Sequence, residues 1–386
     1  MQCYAKKGKT MCIIVYIEPF YGSYIHLKGD PKMKRIILIV LTLTLLMVSV
    51  SALGEAKLTP NEVKTSVPVK DSYPDNPVVE GESPITGLPV EEEYTPILMV
   101  LDNAEDAYPH WGVSDASMMF QVFNAGSGAT KILALFADAY PEKAGGARSA
   151  RMTMLPIANS FNSAFASGNY APVNGGHVSV KTKLREWGYK KAKKYFDLLG
   201  NNFKEREKFI NEPHNLTFYC KEAHEYLLKN KVKFEKRPFQ FTDEPLTRGE
   251  DATKIVIKHY IDKDAGKVNN ASYAEYDYVE GKGYTRTSAT GVNKDRFTEE
   301  ELVFANVIVM RITLKYQDGY QYYENHLVGS GNADIFQNGK YISGAWTRKD
   351  VQGRLIFTDE NGEELKLQRG KTFVVLTIDK TDVLYE

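Results

Sequence analysis

From Pro245 onward the chain is cut into short apolar runs by glycine turns, a pattern that leaves room for little except antiparallel sheet. Lys254–Tyr260 alternates apolar and polar residues, as does Tyr273–Val279, after which Glu280-Gly281-Lys282-Gly283 turns into Tyr284–Thr287. Val307–Lys315, Asn325–Val328, Leu355–Thr358 and Thr372–Ile378 continue the series. Asp318-Gly319, Asn338-Gly339 and Asn361-Gly362 supply residues that accept the positive φ of hairpin turns. Only Thr298–Phe304 reads as helix. Residues 250–380 are therefore expected to form a mainly antiparallel β domain.

The preceding stretch is patterned differently. Pro96–Leu101 is a continuous apolar run that stops at Asp102-Asn103, as expected of a strand buried on both faces whose end opens on a crevice. Met118–Phe123 and Lys131–Phe136 are further strands, joined by the turn Asn124-Ala125-Gly126-Ser127-Gly128. Ser149 to about Phe165, rich in Ala and Met with near-3.6 spacing, predicts a helix, and Glu222–Lys229 predicts another. Residues 83–240 thus read as a mixed α/β domain. The chain as a whole reads as α+β, and 386 residues suffice for two cores.

Upstream, Met33-Lys34-Arg35 precedes the apolar run Ile36–Val50, and Ser51-Ala52 gives a small-residue exit. A basic start, an apolar centre and small residues make a secretory signal over residues 33–52. The run is about 15 residues, below the roughly 20 that span a bilayer comfortably. An uncleaved anchor is the alternative, and membrane contact is expected only through this segment. Residues 1–32 form a long lead-in before a normal signal start, which predicts translation from Met33. Residues 53–82 begin a proline-rich stretch (seven of the sixteen prolines fall in 53–96), which predicts a disordered, extended tether.

Formal net charge is zero, but residues 1–52 carry seven Lys/Arg against Glu18 and Asp30. Residues 53–386 are left with 42 positive and 47 negative residues, a net of −5. A mildly acidic body has no general pull toward nucleic acid, and no nucleic-acid partner is expected. Of Cys3, Cys12 and Cys220, only Cys220 lies in the expected folded part, so no disulfide framework and no zinc spacing is available there. No P-loop, dinucleotide fingerprint, nucleophile elbow or HExxH occurs. No metal and no cofactor is expected.

Gly145-Gly146-Ala147-Arg148-Ser149-Ala150-Arg151 is the most unusual local feature. With Ser149 capping the predicted helix, Arg151 falls in the first turn, where the dipole disfavours a cation, so the pair calls for a carboxylate or a bound anion. Either an anion site or an internal ion pair with Asp102 or another acid satisfies that requirement. His177, in Asn174-Gly175-Gly176-His177, and His214-Asn215 after Pro213 sit in polar turns, where each histidine is either an acid/base or a loop lock. Asp102-Asn103 is a strand stop or a binding position. Tyr273, Tyr276, Tyr278 and Tyr284 form either a sugar- or peptide-binding face or cross-strand pairs.

These stretches resemble the YerB-like bacterial lipoproteins. The resemblance rests on Ser83-Pro84-Ile85-Thr86-Gly87-Leu88-Pro89, Val100-Leu101-Asp102-Asn103, Leu135-Phe136, the run at 145–151 and Pro213-His214-Asn215. It continues through Tyr276, Tyr284-Thr285-Arg286, Asn306-Val307-Ile308-Val309, Gly329-Ser330-Gly331 and Asn338-Gly339-Lys340. It implies a mixed α/β domain followed by a β-rich one, and no established activity, cofactor or partner. The chain departs from that family in lacking a lipobox cysteine after the signal. It also has Gly145-Gly146 where Gly-Pro is usual, and Asn293 in place of a histidine.

The expected function is that of an exported envelope protein binding a ligand or envelope partner in its N-terminal domain. The candidate contacts are Asp102, Asn103, Arg148, Ser149, Arg151, His177, His214 and Asn215, and no catalytic set is assigned. The alternative is a hydrolase or transferase acting on an envelope polymer.

Overall fold

The computed structural model describes residues 56–386 apart from 66, 76–77, 125–127, 171–178, 318–319 and 325–326, together with the backbone of 2–6, 9–16 and 24–28. Gln2–Lys6, Lys9–Tyr16 and Tyr24–Lys28 form a three-stranded antiparallel sheet in chain order, a compact unit of its own. The signal segment 33–52, His177 with its glycines, and the Asp318-Gly319 turn lie outside the described residues.

The continuous apolar runs become strands because both of their faces meet a core. Ile97–Leu101 sends Leu98 and Val100 into one cluster, and Ile97, Met99 and Leu101 into the other. Thr130–Phe136, Asn306–Arg311 and Thr372–Thr377 divide in the same way. Together they are the centre of an 11-stranded mixed sheet. Its order runs Tyr195–Asp197, Ala164–Ser167, Ile97–Leu101, Thr130–Phe136, Met118–Phe123, Thr372–Thr377, Asn306–Arg311, Gly329–Gln337, Lys340–Arg348 and Glu250–Asp251. Ile356–Thr358 pairs to the side of Lys340–Arg348.

Two sequence halves therefore share one sheet. The seam is the parallel pairing of Met118–Phe123 with Thr372–Thr377, in register from Met118↔Thr372 to Gln121↔Val375. An eight-stranded sheet built on Lys254–Asp262, Ala274–Val279, Gly283–Ser288 and Thr381–Tyr385 supplies Ile255, Ile257, Tyr276, Tyr284 and Val383 to one of the two cores. Tyr276 and Tyr284 are fully buried, and Tyr273 and Tyr278 half-buried, so this row packs inward and presents no open aromatic face.

Strand outweighs helix in both halves, 39% against 9% among the described residues, so the N-terminal half is more sheet-like than its α/β reading. Two predicted helices are absent. In place of Ser149–Phe165 there is only Leu155–Ser160, buried all round, followed by the strand Ala164–Ser167. Arg148 and Ala150 are extended because their amides donate to Val100 and Asn169 carbonyls, at 2.9 and 2.7 Å. Pro156 fits only near a helix start, and Asn162, at φ 52°, ends the turn. Thr298–Phe304 is turned at Glu299 (φ 60°), and Val303–Phe304 pairs with Tyr284–Thr285. The helix predicted at Glu222–Lys229 is present as Cys220–Lys229.

The proline-rich stretch is extended, yet it lies against the body. Lys57–Leu58 pairs with Leu384–Tyr385, the Thr59 amide donates to the Val383 carbonyl at 2.9 Å, and Asn332 donates to the Val63 carbonyl at 2.9 Å. Thr59 is buried and bonds the Asp334 carboxylate at 3.0 Å.

Candidate functional site

Asp102 ends the Ile97–Leu101 strand, and the Gly145–Arg151 segment is zipped alongside it. The Asp102 amide donates to Gly146 O at 3.0 Å, and Ala147 N donates to Leu216 O at 2.7 Å. This pairing, rather than a helix cap, places Arg148. Its Nε lies 2.8 Å from Asp102 Oδ2. The second approach comes from the 207–215 loop, closed by the Glu207 amide donating to Asn215 O at 2.9 Å. A Cβ at Gly146 would sit 1.9 Å from the His214 carbonyl oxygen. Only glycine lets that loop come so close.

His214 Nδ1 lies 2.8 Å from Asp102 Oδ2. An ionised carboxylate only accepts, so Nδ1 carries a proton and donates it to Asp102. Lys131 pairs with Asp102 Oδ1, which also accepts the Asn103 amide at 2.9 Å. The Asp102 side chain is only 2% exposed. Burial raises its pKa, but Lys131, Arg148 and His214 outweigh that effect and hold the carboxyl down at about 2. Burial, then Arg148 and Arg151, push the Lys131 ammonium below its usual value, with Asp102 pulling the other way.

Two cations, Lys131 and Arg148, thus pair with one carboxylate. Asp102 neutralises one of them, and the surplus is positive. Arg148 is 33% exposed on its side chain, and beyond Asp102 no described residue accepts from its guanidinium. Arg151 folds back, donating from Nη1 to the Ala150 carbonyl at 2.9 Å.

The other predicted residues fall elsewhere. Asn103 turns into the protein: its amide donates to Thr130 Oγ1 (2.7 Å) and Ala271 O (2.9 Å), and its Oδ1 accepts from Tyr108. Asn215 locks its own loop, accepting from Arg206 at 2.8 Å and donating to Glu207 O at 3.1 Å. Ser149 is half-buried on the extended segment and caps no helix. Among the described residues no group of His, Cys, Asp and Glu could hold a metal, and no helix is long and apolar enough to cross a membrane.

Sequence reasoning passed over Lys131 and His110. A lysine near the start of an apolar strand is a signal, since a buried ammonium requires an acid. His110 donates from Nε2 to the Asp102 carbonyl at 2.6 Å, and burial lowers its pKa to about 4, so the ring is neutral. Behind it Arg286, 2% exposed, reaches Tyr276, Asn293 Oδ1 (2.6 Å) and Gln121 Oε1 (3.1 Å). Asn293 is thus an acceptor for a buried arginine.

The family model described as the N-terminal domain of a protein of unknown function (DUF3048) matches residues 85–233, and the C-terminal domain of the same family matches 265–374. A candidate lipoprotein by name, YerB of Bacillus subtilis (strain 168), is 28% identical over 316 residues, covering 80% of this chain and 90% of that protein. The crystal structure of the Bacillus subtilis YerB protein aligns with a TM-score of 0.65 at 24% identity, covering 78% of this chain and 99% of that one, a likeness of fold. With both of its domains matched in order and the Bacillus protein aligned along most of its length, this chain belongs to the YerB-like, DUF3048 family.

Proposed function

We propose that the protein is an extracytoplasmic envelope protein that binds an anionic ligand at Arg148, with Lys131 and Arg151 supplying the surrounding field. The observation that carries this is the state of Arg148. Asp102 fixes the guanidinium through Nε, while its side chain stays one-third exposed and its terminal nitrogens have no acceptor among the described residues. A preorganised planar fork of this kind suits phosphate or carboxylate. The location rests on the signal pattern of 33–52 and on the lipoprotein name of the Bacillus relative.

The test is calorimetric titration of residues 53–386 with a short poly(glycerol phosphate) oligomer and with an acidic muropeptide. Arg148→Ala should weaken the binding by about tenfold, roughly 1.4 kcal/mol. Equal binding by wild type and variant would reject the reading.

A second reading is favoured by the Asp102–His214 pair. A carboxylate holding Nδ1–H orients an imidazole as a general base, the arrangement a hydrolase or transferase needs. Asp102, held ionised by its cations, would orient and not transfer protons. Turnover of a labelled wall polymer that disappears in His214→Ala would move the protein to this class.

A further inference from the structure

A second recess, lined by Gly112 and Phe297, opens close to Trp111. Trp111 packs on Gly145 and is covered by Phe209, ring centroids 5.1 Å apart and edge-on, and Phe209 meets Phe297 at 6.0 Å, again edge-on. Both phenylalanines remain nearly half exposed, at 44% and 50%. Two neighbouring phenylalanines left in water at the rim of a cavity are an unusual exposure of apolar surface.

The cavity beside Phe297 has a volume of about 270 Å³ and is walled by Ser114, Asp115, Glu142 and Thr298. Its charges are unbalanced. Asp295 is fully buried and spends its oxygens on the Ser114 and Phe297 amides, at 2.9 and 2.8 Å. Lys371 donates to the Ser114 carbonyl, and its charge favours the ionised form of Asp115. Lys143, which also lines the cavity, is held by Glu205 and Glu207, and Glu142 by Lys221. Asp115 is half-buried with no hydrogen bond or ion pair to a described residue, and Asp295 and Glu300 set two negative charges against the one of Lys371.

We propose that this cavity takes a primary ammonium group on an aliphatic stem, as in a lysine side chain, with Asp115 as its counter-ion and the stem lying along Phe297. The acidic wall selects the cation, and the exposed ring shields the methylenes from water. This site is separate from Arg148 and does not depend on the anion-binding reading.

The experiment is an amide chemical-shift titration of residues 53–386 with Nα-acetyl-lysine methylamide, and with the uncharged Nα-acetyl-norleucine methylamide as control. Saturable shifts at Ser114 and Thr298 are expected with the lysine compound, with at least tenfold weaker response to norleucine. Asp115→Asn should lower the affinity about tenfold, and Phe297→Ala should lower it several-fold. Arg148→Ala should leave it unchanged, which separates this proposal from the previous one. Absence of saturable shifts, equal binding of norleucine, or full binding by both Asp115→Asn and Phe297→Ala would overturn it.

Discussion

At the scale of single residues the account turns on Asp102. Its pKa is depressed from 3.8 to about 2, so the ionised side chain contributes stability that is complete above about pH 4 and is lost as pH falls through 2. A shift of that size corresponds to about 2 kcal/mol. Urea unfolding of wild type and Asp102→Asn should show the variant clearly less stable at pH 6, since Lys131 is then buried beside a neutral amide. The gap should close by about 2 kcal/mol between pH 5 and pH 2, and a gap that does not change with pH would contradict this. Asp102 and Arg148 were legible in the sequence because an acid at the end of an apolar strand and two arginines in one short run are local signals. Arg286 was not. It shares the inward phase of Gly283–Ser288 with Tyr284 and Ser288, and the alternation alone reads there as ordinary sheet.

At the scale of elements, the stretch from Lys57 to Val63 acts as a strap. Thr59 and Asn61 both contact Arg311, whose side chain is fully buried with Asp334. Replacing Thr59 and Asn61 together by alanine removes two hydrogen bonds to Arg311 and one to Asp334, and should cost roughly 3 kcal/mol in chemical denaturation. A loss below about 0.5 kcal/mol, the range of surface substitutions, would mean the strap is only loosely laid on. The prolines made the extended backbone legible, but what an extended segment docks against is set by residues such as Asn332 and Val383, far along the chain. The same reason hid the true form of Arg148–Arg151. Ala- and Met-rich sequence permits helix, and lateral pairing to Val100 and Asn169 overrides that propensity. Long apolar strands such as Met118–Phe123 were read to the residue, because burial on both faces leaves no alternative phase.

At the scale of the whole molecule, the halves that read as separate domains in sequence share a sheet and a buried polar seam. Gln121 and Asn103 from the first half meet Arg286, Ser272 and Ala271 from the second. Residues 57–386 should therefore unfold in one transition, with tryptophan fluorescence and far-ultraviolet circular dichroism coinciding. A fragment of residues 83–240 should fail to fold, since Met118–Phe123 loses its central partner. Two resolved transitions would instead mark independent halves. The same seam runs from Arg286 through Tyr108 and Asn103 to the strand end that holds Asp102, so the arginine site is anchored from both halves. The central claim is that Arg148 is held ready for an anion, and anomalous diffraction from crystals soaked in selenate tests it most directly. A selenium peak is expected within hydrogen-bond distance of the terminal nitrogens of Arg148, absent from Arg148→Ala crystals; an empty Arg148 in soaked crystals would contradict this.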